Sequence, residues 1–137
     1  MTLKNTYKID KIDNGIVYYT RYTGTLSLKI LLESSYERTA DPDYTNAVFV
    51  VNDFINVDMS RITPDEARVM SARVREVLQK RPHMVVIMIV GDKLAYGLGR
   101  IWRGNTLPAS ASKDLHVVYS KEEAFQIVNA VRKERGL

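Results

Sequence analysis

The chain alternates between short segments rich in β-forming residues and longer segments with an apolar residue every three or four positions. Residues 7–12 and 16–23 belong to the first kind, and the Asp-Asn-Gly sequence at 13–15 between them predicts a β-hairpin turn. A helix is expected to begin after Ser27, whose side chain can cap its first turn. The aspartates and proline of residues 38–46 predict a loop after that helix.

A second helix has the clearest start signal in the sequence. Residues 63–66 read Thr-Pro-Asp-Glu, which combines an N-cap residue, a proline at the first helical position and a capping-box glutamate. The helix is expected to end before Pro82, and its apolar stripe comprises Ala67, Met70, Val74, Val77 and Leu78. Ser120 and Glu123 repeat the capping box at the start of the last predicted helix.

Three apolar runs predict buried parallel strands at 47–51, 84–90 and 115–119. The run at 84–90 contains no polar residue, as expected for a central strand that is covered on both faces. The order of the elements predicts a single α/β domain over residues 1–137 with a mixed β-sheet. In that sheet an N-terminal hairpin is followed by βαβαβα, and the helices pack on the sheet.

The segment VGDKLAYGLGRIWRG, which contains the end of the most apolar run, has glycines among arginines and aromatic residues. Its spacing does not match a G-x-G-x-x-G phosphate loop, whose glycines lie in the turn directly after a strand. Helical spacing fits better and predicts a helix over 92–105, with Tyr96, Arg100 and Arg103 on one face. Gly97 inside this helix costs about 1 kcal/mol relative to alanine, which indicates either close packing or room for a ligand.

Composition and charge narrow the classes of function. The 137 residues include no cysteine, which excludes thiol catalysis, disulfides and thiolate metal sites, and no cofactor is expected. No apolar run approaches the roughly 20 residues of a membrane span, so a cytoplasmic protein is expected. Three of the four excess positive charges fall within residues 91–113, which favours either a solvated basic face or contact with an anionic partner.

Two segments, ADPDYTNAVFVVNDFINVDMSRITPDEARVM and VVIMIVGDKLAYGLGRIW, resemble the SpoIIAA-like group of STAS-domain proteins. The pattern of that group is a strand ending in Asp, a Thr/Ser-Pro helix start, an apolar strand and a D-x-x-x-Y-G-x-x-R helix. The resemblance implies a STAS-like fold and a regulatory or ligand-sensing module. It also implies a phosphorylatable residue near the helix start, where this chain offers Ser60 and Thr63. The D-S-x-G signature of the antagonists in that class is absent, and helix capping alone also explains Thr63.

Two aspartates are the main candidates for chemistry. Asp53 and Asp58 follow the predicted strand at 47–51, near the edge where open α/β sheets bind ligands. They can form an acid–base pair across a cleft, or serve as ordinary turn residues. His83 and His116 begin their predicted strands at the opposite edge, so neither a Ser-His-Asp relay nor a His/Asp metal site is expected.

The expected function is therefore binding without catalysis, by a regulatory or protein-interaction module. Its working surface would be the carboxyl edge of the sheet together with the helix face that carries Tyr96, Arg100 and Arg103. The alternative is a carrier or sensor of a small amphipathic, lipid-like anion, whose head would meet Arg100 or Arg103. Nucleic acid is not an expected partner, because the sequence has no RNP-like strand motif. Homodimer formation is compatible with either function.

Overall fold

A computed structural model of the chain describes residues 6–91 and 115–137. The strands in this part of the chain are β1 Tyr7–Ile12, β2 Val17–Tyr22, β3 Gly24–Thr25, β4 Phe49–Asp53, β5 Val57–Asp58, β6 Val85–Ile89 and β7 Leu115–Val118. The helices are α1 Leu28–Ala40, α2 Pro64–Lys80 and α3 Lys121–Arg135, with a 3-10 helix at Pro42–Asn46. None of these helices is long and apolar enough to cross a membrane.

The main sheet contains five strands in the order β1-β2-β4-β6-β7. β1 pairs antiparallel with β2, whereas β2, β4, β6 and β7 run parallel to one another. The short strands β3 and β5 form a separate parallel pair. The prediction of an α/β domain with a mixed sheet and an N-terminal hairpin is therefore confirmed.

The hairpin turn adopts the left-handed backbone that its sequence predicts. Asp13, Asn14 and Gly15 all have positive φ angles, of 53°, 59° and 91°. Short polar residues and glycine tolerate this conformation better than other residues do. The amide of Gly15 donates to the carbonyl of Ile12 at 3.2 Å, which closes the turn.

Side-chain caps start the helices at the predicted residues. The Ser27 hydroxyl accepts from the amide of Ile30, and Thr63 forms the full capping box of α2. Ser120 caps α3, but the Glu123 side chain of that predicted capping box bonds the backbone amide one residue before Ser120. The carboxylate of Glu123 accepts from the amide of Tyr119, at 3.0 Å.

The two faces of the sheet are covered by different helices. Side chains from α1 and α2 pack on one face against alternate strand residues such as Tyr18, Val50, Val86 and Leu115. α3 packs on the opposite face against Val51, Ile87 and other residues of the alternate set. β6 is buried along its whole length, which confirms that it is covered on both faces.

Two predicted boundaries are wrong for the same physical reason. Residues 38–46 were expected to form a loop, but α1 continues to Ala40 and a 3-10 helix follows. The strand expected at 47–51 lies two residues later and includes Asn52 and Asp53. In both places a buried polar side chain, Arg38 or Asp53, has hydrogen-bond partners inside the fold, although polarity alone indicates a loop. The predicted helix at 92–105 lies outside the described residues.

Substitution of Gly15 by alanine tests the tight contact beneath the hairpin. A Cβ atom at Gly15 would lie 3.1 Å from the carbonyl oxygen of Asp43, whereas one at Gly24 would meet nothing within 4 Å. Both glycines have positive φ, so each alanine variant loses about 1–2 kcal/mol of unfolding free energy through backbone strain. We expect Gly15→Ala to lose about 1 kcal/mol more than Gly24→Ala, because it is also overpacked. Equal losses in urea unfolding would contradict the contact.

Candidate functional site

The carboxyl ends of three adjacent parallel strands meet at one edge of the sheet. β4, β6 and β7 are followed there by Phe54, Val90 and Tyr119. The amide of Phe54 donates to the carbonyl of Ile89 at 2.8 Å, and the amide of Val90 donates to the carbonyl of Val118 at 2.9 Å. The backbone ladder therefore continues just past the strand ends and holds the loops of this edge in place.

Asp53 lies at this edge as the last residue of β4, and its carboxylate is buried. The Tyr19 hydroxyl donates to Oδ2, and the amide of Ile55 donates to Oδ1 at 3.0 Å. Both oxygens therefore have a donor inside the protein. The carboxylate anchors the turn after β4 to the neighbouring strand β2.

Tyr19 is held by contacts on both its hydroxyl and its ring. Burial and the hydrogen bond to Asp53 raise the pKa of its hydroxyl above the ordinary value for tyrosine. Lys121 lies 5.0 Å and Arg21 5.9 Å from the centre of its ring, and Phe125 stacks on it at 6.0 Å. A tyrosine with a raised pKa stays protonated at neutral pH, so it serves as a hydrogen-bond donor.

Asp58 lies in β5 and is exposed to solvent. Its carboxylate accepts from the amide of Ser60 at 2.9 Å. The hydroxyl and amide of Ser60, with a smaller effect from the charge of Arg61, lower the pKa of Asp58 below its ordinary value. Asp58 is therefore a turn residue that favours its ionised form.

Each of the two aspartates has a structural role of its own. Asp53 belongs to the main sheet and Asp58 to the two-stranded sheet, and each uses its carboxylate to fix the turn that follows it. Thr63 has both hydrogen bonds of its capping box, each 3.1 Å long, and Ser60 is exposed. Capping accounts for the position of Thr63, and phosphorylation of either residue stays a prediction.

Four of the predicted site residues, Tyr96, Gly97, Arg100 and Arg103, lie outside the described residues. His83 is exposed just before β6, at the amino edge, as expected. His116 was expected at that edge too, but it pairs with Ile87 in the middle of β6. It still lies two strands and two residues from Asp53, a distance on the order of 12 Å. In the described part of the chain, no cluster of three or more acidic or histidine side chains can hold a metal ion.

Two exposed apolar side chains at the same edge were missed in the sequence. Ile55, just after β4, is 41% exposed, and Tyr119, just after β7, is 53% exposed. Gly91 allows the backbone after β6 to approach the backbone after β4, because a Cβ atom at Gly91 would lie 3.3 Å from the carbonyl oxygen of Ile55. The Tyr19–Asp53 pair was missed as well, although strand alternation and parallel pairing place both residues on one face.

Comparison with known proteins gives no assignment for this chain. No family model matches it, and a search of curated proteins finds no significant match. The resemblance to the SpoIIAA-like group therefore rests on the two segments quoted above, and the second of them runs into residues outside the described part.

Tyr19→Phe tests whether the buried carboxylate depends on the tyrosine hydroxyl. The variant leaves Oδ2 of Asp53 without its donor, so we expect a loss of about 1–3 kcal/mol in the free energy of unfolding. Tyr36→Phe is the matched control, because Tyr36 is exposed and should change stability by less than about 0.5 kcal/mol. Similar losses in the two variants, measured by urea unfolding, would contradict the role of the hydroxyl.

The pKa of Asp58 provides a second test, by NMR titration of its carboxyl carbon. Ser60→Ala removes the hydroxyl that lowers this pKa, so the pKa should rise towards its ordinary value, and Arg61→Gln should raise it less. A carboxyl group whose pKa is lower in the folded protein stabilises the fold at pH values above its ordinary pKa. This stabilisation is lost as the pH falls through the folded-state pKa. Ser60→Ala should therefore unfold at a higher pH during acid titration. An unchanged pKa would show that the amide alone holds Asp58.

Proposed function

We propose that this protein acts by binding another protein at the carboxyl edge of its sheet, as a regulatory or protein-interaction module of STAS-like type. The observation that carries the proposal is the exposure of Ile55 and Tyr119 at that edge. Strands lie about 4.8 Å apart, so the ends of β4 and β7, with β6 between them, are about 10 Å apart. Exposed aromatic and aliphatic side chains at this spacing can enter one protein interface.

The chemistry of the same edge favours binding over catalysis. Asp53 is committed to two hydrogen bonds, and Asp58 favours its charged form in a turn. A general acid or base works best with a pKa near the operating pH, and the pKa values of Tyr19 and Asp58 are shifted away from neutrality. Asp58 and Arg61 are exposed in the segment that follows β4, and in this proposal they contribute charge to the rim of the interface, as protein interfaces commonly have.

The resemblance supports the same conclusion. A mixed sheet with an N-terminal hairpin is compatible with the STAS-like arrangement, and STAS domains as a class act as regulatory or sensing modules. We propose that the predicted helix face with Tyr96, Arg100 and Arg103 extends the working surface. A second copy of this chain is one candidate partner, and a different protein is the other.

Introduction of a negative charge at the apolar edge tests the proposal. Ile55→Asp should weaken partner binding by about tenfold or more, because it places a charge in the apolar part of the interface. Val69→Asp is the matched control, since Val69 is also exposed but lies on α2. Each variant serves as bait in quantitative affinity purification, and native mass spectrometry reports self-association.

The expected result is one partner, or a dimer, that the original chain and Val69→Asp retain and Ile55→Asp loses. Arg100→Glu should weaken the same partner if the helix face takes part. Thermal unfolding of each variant confirms that the fold is intact. Full binding by Ile55→Asp would exclude this edge as the interface.

A further inference from the structure

A groove between α1 and α2 lies on the face of the sheet opposite α3. It has a volume of about 550 Å³ and is lined by Tyr36, Thr39, Tyr44, Arg73, Lys80 and Arg81, among others. Tyr44 precedes β4 and Arg81 precedes β6, so the groove opens at the amino edge of the sheet. It is therefore separate from the carboxyl edge described above.

The groove adjoins a small internal void of about 20 Å³ that reaches the central strands. Tyr44 lines both spaces, and Arg38 and Asn52 line the void. Both of these polar side chains are more than nine-tenths buried. The Oδ1 atom of Asn52 has no hydrogen-bond partner among the described residues. A buried acceptor without a partner is costly, so this oxygen marks a place where a hydrogen-bond donor, from a water molecule or a ligand, is favoured.

Buried positive charge surrounds these spaces with little acid to balance it. Arg38 is only 6% exposed and donates to two neutral hydroxyls, of Thr20 at 3.1 Å and Tyr22 at 3.4 Å. Arg81 donates to three backbone carbonyls beside the groove. Of the three arginines, only Arg73 has a carboxylate partner in the described part of the chain, at 2.5 Å from Glu76.

The charges of all three arginines act on the hydroxyl of Tyr44. Burial raises the pKa of its hydroxyl, and the charges of Arg38, Arg81 and Arg73 each act to lower it. Among the described residues, its own hydroxyl donates only to the thioether of Met84, a weak acceptor, at 3.2 Å. All three guanidinium groups therefore act on the residue that separates the groove from the void.

The net charge of the groove is positive even after the helix ends are counted. Arg73, Lys80 and Arg81 contribute three positive charges, and Glu76 removes one. The carboxyl-terminal ends of α1 and α2 also point here and contribute about half a negative charge each. About one positive charge remains, which favours an anion.

Donor groups remain for such an anion. A guanidinium has five N–H groups. Arg73 uses three of them, on Ser35, Glu76 and Thr39. Arg81 likewise uses three on backbone carbonyls, so each arginine keeps two N–H groups that no described residue accepts.

We infer that the groove between α1 and α2 binds the phosphate group of a small organic phosphate. Arg73, Lys80 and Arg81 hold the phosphate group at the mouth, and the rings of Tyr36 and Tyr44 with the side chain of Val77 contact the organic part. The inference does not rest on the proposed protein interface, because it uses the opposite edge of the sheet.

Two probes test the groove, inorganic phosphate and phenyl phosphate, each titrated against matched ionic strength in chloride. Binding is followed by NMR through the backbone amides of Thr39 and Val77, which line the groove. We expect saturable shifts at both amides. Tighter binding of phenyl phosphate would identify an organic ligand, and equal binding would assign the groove to phosphate itself.

Lys80→Gln and Arg75→Gln distinguish binding in the groove from attraction by general surface charge. Both residues are exposed on α2 and both substitutions remove one positive charge, but only Lys80 lines the groove. Lys80→Gln should weaken binding by about fivefold, and Arg75→Gln by less than about twofold. Equal weakening by the two exposed variants, or no saturable shift with either probe, would overturn the inference.

Discussion

Burial of β6 on both faces is the constraint on which the rest of the fold depends. Its five residues are all apolar and all buried, so helices must cover both sides of the sheet. α1 and α2 cover one side and α3 covers the other, and the hairpin strand β1 is an outermost strand of the sheet. The alternation of side chains along each strand then decides which polar residues face which helices.

Asn52 and Asp53 show the consequence of that alternation most directly. They are neighbours in β4, so their side chains point to opposite faces of the sheet. Asp53 faces the α3 side, where Tyr19 from β2 donates to it. Asn52 faces the side of α1 and α2, where it lines a void together with Arg38. One dipeptide thus places a polar group in each of the two buried layers.

Local signals predicted the parts of the fold that local interactions determine. The Asp-Asn-Gly turn and the caps at Ser27, Thr63 and Ser120 involve partners only a few residues away. The burial of Arg38 depends on Thr20 and Tyr22, which belong to another element, so its neighbourhood resembled a loop. The carboxyl edge was predicted from topology, whereas the exposure of Ile55 depends on packing that no local pattern encodes.

Open α/β sheets usually bind ligands at the carboxyl edge. The proposed site at the amino edge positions its ligand by different groups. Two helices end at the groove, and their negative ends favour cations, which the chain supplies as arginines in or after the last turns. Arg73 links α2 to α1 through Ser35 and Thr39, so the groove walls are held apart at a fixed spacing. Anion binding there depends on side chains that the helix ends and backbone carbonyls already position. A recognition site built in this way needs no helix amino terminus and no glycine loop, which is why the usual sequence motifs for phosphate do not reveal it.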